Sequence, residues 1–81
     1  MASIVDIIDL LNEIFDDSNT TKNLKTKITH IISILNAEEV LSLKKNKASH
    51  ELDELASNSD IDSYTRSQLL GIVGALETVE E

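Results

Sequence analysis

No proline interrupts this chain of 81 residues, and its first glycine is Gly71. Those two residue types punctuate tight turns most strongly, so a sequence almost without them is poorly equipped to build a series of β-hairpins. Helices joined by short polar turns remain, provided that the apolar residues recur at helical spacing. The Ile and Val content would suit strands on propensity alone. Spacing decides against them.

Ile4, Ile7, Ile8, Leu11, Ile14 and Phe15 recur three and four apart, with Asp6, Asp9, Glu13 and Asp16 between them. That is one apolar helical face, and it predicts a helix over 3–16. Ser3 stands where an N-cap belongs, and Asp6 places an acid in the first turn, where the helix dipole favours it. Leu24, Ile28, Ile31, Ile32 and Leu35 predict a second helix over 21–36, behind Thr20 or Thr21 as cap. Asn36-Ala37-Glu38-Glu39 has the form of a capping box, with Glu39 three residues after a capping asparagine. It would end helix 2 and open a third helix over 38–57, with Val40, Leu41, Leu43 or the Lys44 stem, Ala48, Leu52 and Leu55 as its apolar positions. Leu69, Ile72, Val73, Leu76 and Val79 predict a fourth over 63–79, capped by Asp62 or Ser63. Gly71 and Gly74 each lower its helicity by ~1 kcal/mol relative to alanine. Three residues apart, they are expected to permit close helix packing.

The turns Asp17-Ser18-Asn19-Thr20 and Asn58-Ser59-Asp60-Ile61 are short, which makes consecutive helices antiparallel. They also align. At an offset of 41, Leu11, Glu13, Ser18, Ile31 and Leu35 fall on the identical residues Leu52, Glu54, Ser59, Ile72 and Leu76, and Lys25 falls on Arg66. The expected fold is all-α: one domain over 1–81, a four-helix antiparallel bundle built from two duplicated helical hairpins. A closed bundle is favoured over a solenoid, which usually needs three or more repeats. Lys25 and Arg66 both sit near a helix N-terminus, against the dipole. Each is expected to have an acidic partner, Asp16 or Asp17 for Lys25 and Asp53 or Glu54 for Arg66.

The run Asn19-Thr20-Thr21-Lys22-Asn23-Leu24-Lys25 and its echo Asp60-Ile61-Asp62-Ser63-Tyr64-Thr65-Arg66 resemble the two post-turn motifs of a small archaeal family, uncharacterised protein family 0147. Leu11-Asn12-Glu13-Ile14-Phe15-Asp16-Asp17 and Leu52-Asp53-Glu54-Leu55 resemble its helix ends. The likeness covers about residues 4–80. Family members usually carry a proline early in both second helices, where Thr21 and Asp62 stand here. The resemblance implies a compact helical bundle in an archaeal cytoplasm and no activity, since the family has none assigned.

A catalytic apparatus is not visible. The chain has no cysteine, no Gly-rich phosphate loop and no nucleophile elbow. Neither histidine has the Glu-x-x-His context of a di-iron bundle. His50 and Glu54, four apart on one helix face, make half a metal site or a surface pair, and the pair is favoured. His30 reads as a boundary residue with a backbone or carboxylate partner, and Tyr64 as a packing anchor with its hydroxyl in water. The reading is a non-enzyme without cofactor or metal. The N-terminus lacks the basic region of a signal peptide, and no apolar stretch is long enough to span a membrane, which together predict a cytoplasmic protein with no membrane partner.

Charge is uneven. The net charge is −8, yet residues 22–47 carry Lys22, Lys25, Lys27, Lys44, Lys45 and Lys47 against only Glu38 and Glu39. The overall charge and the near absence of aromatic residues disfavour nucleic acid as a partner. Antiparallel helices would split the lysines between the two ends, with Lys22 to Lys27 near Glu51, Asp53 and Glu54. A nucleic-acid- or ribosome-associated factor using these lysines is the second functional reading. The first is a protein-interaction module whose partner includes a second copy of itself. It rests on apolar residues in excess of one face: Ile34 and Leu70 on helices 2 and 4, and above all Val5 and Leu10, which are expected to form a single seam along an edge of helix 1.

Overall fold

The computed structural model describes residues 3–80. They form α1 (Ile4–Asp16), α2 (Lys22–Asn36), α3 (Leu41–Ala56) and α4 (Ser63–Glu77), with no strand among them. Consecutive helices pack side by side, α4 closes back on α1, and the diagonal pairs do not approach. The product is an antiparallel bundle of 33 × 19 × 19 Å. None of its helices is long and apolar enough to cross a membrane.

The core follows the offset of 41. Ile7 and Ala48, Leu11 and Leu52, Ile14 and Leu55, Ile28 and Leu69, Ile31 and Ile72, and Leu35 and Leu76 are all buried. Among the described residues, twelve of the fifteen buried ones therefore come in pairs at this offset. Fully burying an aliphatic side chain contributes ~1.5–3 kcal/mol, and here both hairpins supply it from the same positions.

The helix-joining turns repeat at the level of single hydrogen bonds. The Asn19 amide donates to Asp17 Oδ1 and the Asp60 amide to Asn58 Oδ1, both at 2.9 Å. The Thr20 amide donates to the Asp17 carbonyl, and the Ile61 amide to that of Asn58. Thr21 and Asp62 then cap α2 and α4, accepting from the amides of Leu24 and Thr65. Both ends of α4 consequently lie 41 residues after those of α2. Ser3 caps α1 in a full capping box with Asp6.

Helix 3 departs from the expected start. Asn36 is the last residue of α2, and α3 begins at Leu41 behind Val40, whose side chain makes no capping bond. The Asn36–Glu39 box does not form. Glu39 instead receives the Lys47 ammonium on both carboxylate oxygens at 3.0 Å.

Lys25 and Arg66 are repeat-equivalent and half-buried, but neither meets the expected acid. The Lys25 ammonium lies 5.3 Å from the centre of the Phe15 ring. Arg66 donates from Nε to the Ala56 carbonyl at 2.9 Å, and from Nη2 to the carbonyls of Asn58 and Ile61 at 3.3 and 3.2 Å. The repeat explains the difference: Phe15 corresponds to Ala56. Where the ring stands, the cation rests on its face. Where there is only a methyl group, the guanidinium reaches through to the carbonyl of Ala56 at the end of α3 and to those of Asn58 and Ile61 in the turn that follows. Lys45 serves the other end of the same hairpin, donating to the carbonyls of Glu77 and Val79.

Two outcomes follow. Arg66→Met should cost about 2–3 kcal/mol, because three carbonyls lose a charged donor. Lys25→Met should cost less than ~1 kcal/mol, the scale of an accessible cation–π contact. Urea unfolding monitored by circular dichroism measures both. The second outcome concerns acid. The Thr65 amide, foremost, and the Thr65 side chain hold the Asp62 carboxyl below its ordinary value of 3.8, with Arg66 adding a smaller pull. A depressed carboxylate contributes stability that is present above its unfolded value and lost as pH falls through the folded one. Asp62→Asn, a cap that does not titrate, should flatten that part of the stability–pH curve below about pH 4 relative to the parent chain.

Candidate functional site

Val5 and Leu10 do not form one seam. Five residues along a helix turn through about 140°, and the outward carboxylates of Asp6, Asp9 and Glu13 fall in the arc between them. Val5 is 66% exposed on one flank of α1, and Leu10, 37% exposed, lies on the other. Leu10 lines a groove of about 250 Å³ between α1 and α4, together with Glu13, Ile14, Gln68, Gly71 and Ile72.

Above that groove stands the outer face of α4. Tyr64, Ser67, Leu70, Gly71, Gly74 and Thr78 share it, all exposed. From Ser67 to Leu76 no residue is charged. The glycines do not serve helix packing: a β-carbon added to either would meet nothing within 4 Å. Tyr64 is not a packing anchor either, being 67% exposed.

The equivalent face of α2 sharpens the contrast. It too lacks charge between Lys27 and Glu38, but it carries Thr26, Thr29, His30 and Ser33 where α4 carries Ser67, Leu70, Gly71 and Gly74. Three of the α2 hydroxyls are spent within the helix, donating to the carbonyls of Lys22, Lys25 and His30. α4 presents in their place a serine, a leucine and bare backbone. The signal was available in the uncharged run 67–76, but only the comparison of the two faces gives it weight.

The lysines separate as expected, Lys22 to Lys27 at the turn end of α2 and Lys44 to Lys47 in the first half of α3, which runs the opposite way. Lys22 to Lys27 do not pair with Glu51, Asp53 or Glu54, although Lys27 shares a shallow pocket with Glu51 and Glu54. Glu51 is met instead by His30, with Nε2 at 3.8 Å. That is too long for a hydrogen bond and becomes an ion pair only when His30 is protonated. His50 lies 3.7 Å from Glu54 on exposed helix surface. No group of three potential metal ligands occurs among the described residues.

A second concavity of about 400 Å³ opens between the two turns, where Leu24, Leu55 and Ile61 form the floor and Lys27, Asp60 and Asp62 the rim. The repeat gives its origin. Thr65 occupies the position that Leu24 fills in the first hairpin, and the smaller side chain leaves this end of the bundle incompletely plugged. Its rim mixes both signs of charge and selects for neither.

The sequence model of the uncharacterised protein family UPF0147 matches residues 1–79, and the chain belongs to that family. Among solved structures it is similar to the crystal structure of the unknown-function protein MMP1188, with 26% identity and a TM-score of 0.86. The alignment covers 96% of this chain and 90% of that one. Comparison with curated proteins gives no significant match.

Since both α4 glycines face open space at helical φ, alanine at either should raise stability by about 0.5–1 kcal/mol. Thermal melts of Gly71→Ala and Gly74→Ala at low protein concentration, where each chain is measured by itself, check this.

Proposed function

We propose that this protein is a cytosolic, non-catalytic interaction module that binds a second copy of itself through the outer face of α4, with Leu10 at the edge of the contact. The supporting observation is the replacement of polar side chains by Leu70, Gly71 and Gly74 on a helix that carries no charge from Ser67 to Leu76. Interface centres are depleted of charged residues and enriched in tyrosine. Here Tyr64 heads such a stripe. Two glycines without a packing duty also leave room for another backbone to approach.

The choice of a second copy rests on charge. A two-fold contact sets a face against itself. Asp6, Asp9 and Glu13 would repel themselves across such an axis, and so would Asp53 and Glu54 on α3. The α2 face offers hydroxyls already bonded within the helix. The α4 face can meet its own image without burying a charge. One helix face from each chain buries less than the ~1,200–2,000 Å² of a standard interface, so the association is weak and concentration-dependent.

The nucleic-acid reading has less support. Lys25 rests on Phe15, Lys45 on two carbonyls and Lys47 on Glu39, which leaves Lys22, Lys27 and Lys44 spread over both ends of the molecule.

Sedimentation velocity from ten to several hundred micromolar should show a monomer–dimer equilibrium for the parent chain. Leu70→Glu should abolish it while helicity is retained, and Val5→Glu should leave it unchanged. A parent chain that stays monomeric throughout, or a Val5→Glu change as disruptive as Leu70→Glu, would falsify the proposal.

A further inference from the structure

The connection between α2 and α3 is Ala37-Glu38-Glu39-Val40, and nothing in its composition breaks a helix. Alanine and glutamate are among the strongest helix formers, and from Lys22 to Ala56 there is no proline or glycine. The other two connections are built differently. Each has an Asx-type bond inside the turn and a side-chain cap on the helix that follows. This one has neither, and Val40 is 68% exposed. Ala37 and Val40 are extended, with ψ of 153° and 147°, so the two helices are separated by a few backbone rotations and not by a dedicated turn. One ion pair, Lys47 to Glu39, closes the connection. In a continuous helix those residues would stand about 12 Å apart along the axis.

The two hairpins on either side of this connection present the same core positions to each other, from Ile7 and Ala48 to Leu35 and Leu76. Every contact that the first hairpin makes with the second of its own chain can be made with the second hairpin of another. We propose that two copies of this chain exchange hairpins, the connection straightening so that α2 and α3 become one helix from Lys22 to Ala56. Exchange removes two helix ends per chain. The amides at the start of α3, which lack a side-chain cap, then find carbonyls four residues back. The core is retained in full, and the Lys47–Glu39 pair is lost. Exchanging an identical element in this way is a low-cost route to a dimer. It leaves the outer face of α4 uncovered and so stands or falls independently of the self-association proposed above.

The test uses the Leu70→Glu chain, which removes the α4 contact. Two preparations, one with a longer terminal tag, are mixed in denaturant and refolded at several hundred micromolar. Mixed dimers of two full chains are expected on native gels and by light scattering. Glu38→Pro is expected to reduce them at least tenfold without changing the folded monomer. The extended Ala37 is what a following proline requires, and no backbone hydrogen bond of the connection uses the Glu38 amide. A second variant lacking residues 37–40 cannot fold back on itself and should be wholly dimeric, at twice its own chain mass, with undiminished helicity. Absence of mixed dimers, mixed dimers indifferent to Glu38→Pro, or a deletion variant that is monomeric or unfolded would each overturn the proposal.

Discussion

Four helix termini meet at one end of this bundle, and the fold depends on how their unpaired amides and carbonyls find partners. A chain with no disulfide and two aromatic residues has little energy to spare for orphaned polar groups. At this end the orphans are served twice over. Thr21 and Asp62 take amides at the start of α2 and α4. The Thr20 hydroxyl donates to the Ile14 carbonyl at 2.6 Å, and Arg66 gathers the carbonyls beyond α3. With the termini settled, the helices can bring Leu and Ile together in a core that contains no polar residue among those described.

The two hairpins meet this problem with equivalent turn hydrogen bonds and different side chains. Thr20 is replaced by Ile61, which cannot donate, and Phe15 by Ala56, which cannot shield. Arg66 makes up for both losses. That substitution pattern also accounts for the unfilled space beside Thr65. Repetition fixes the path of the chain, and departures from repetition create every feature that distinguishes one flank of the bundle from the other.

Local signals were legible in the sequence because their physics is local. Ser3, Thr21 and Asp62 cap helices through bonds three residues long, and the three-and-four spacing named most of the core. The pattern at Asn36 misled because a capping box needs its first residue to lead straight into the next helix, whereas Asn36 is the last residue of α2 and α3 begins only at Leu41. The partners of Lys25 and Arg66 were not legible, since they depend on the size of a side chain ten residues away and on carbonyls that have no letter in the sequence. The Val5–Leu10 seam failed on rotation alone. The α4 face was written as a run without charge, but its meaning required knowing which of those residues turn outward.

Tyr64 gives the molecule an unusual optical property. It is the sole tyrosine, there is no tryptophan, and its ring stands 67% exposed at the head of α4. Intrinsic emission from this protein therefore comes from one fluorophore that is already wet in the native state. Melting of the Leu and Ile interior changes its surroundings little, whereas anything laid along α4 changes them at once. The chain is nearly silent to ultraviolet light about its own interior, and it reports on its outer surface without a label.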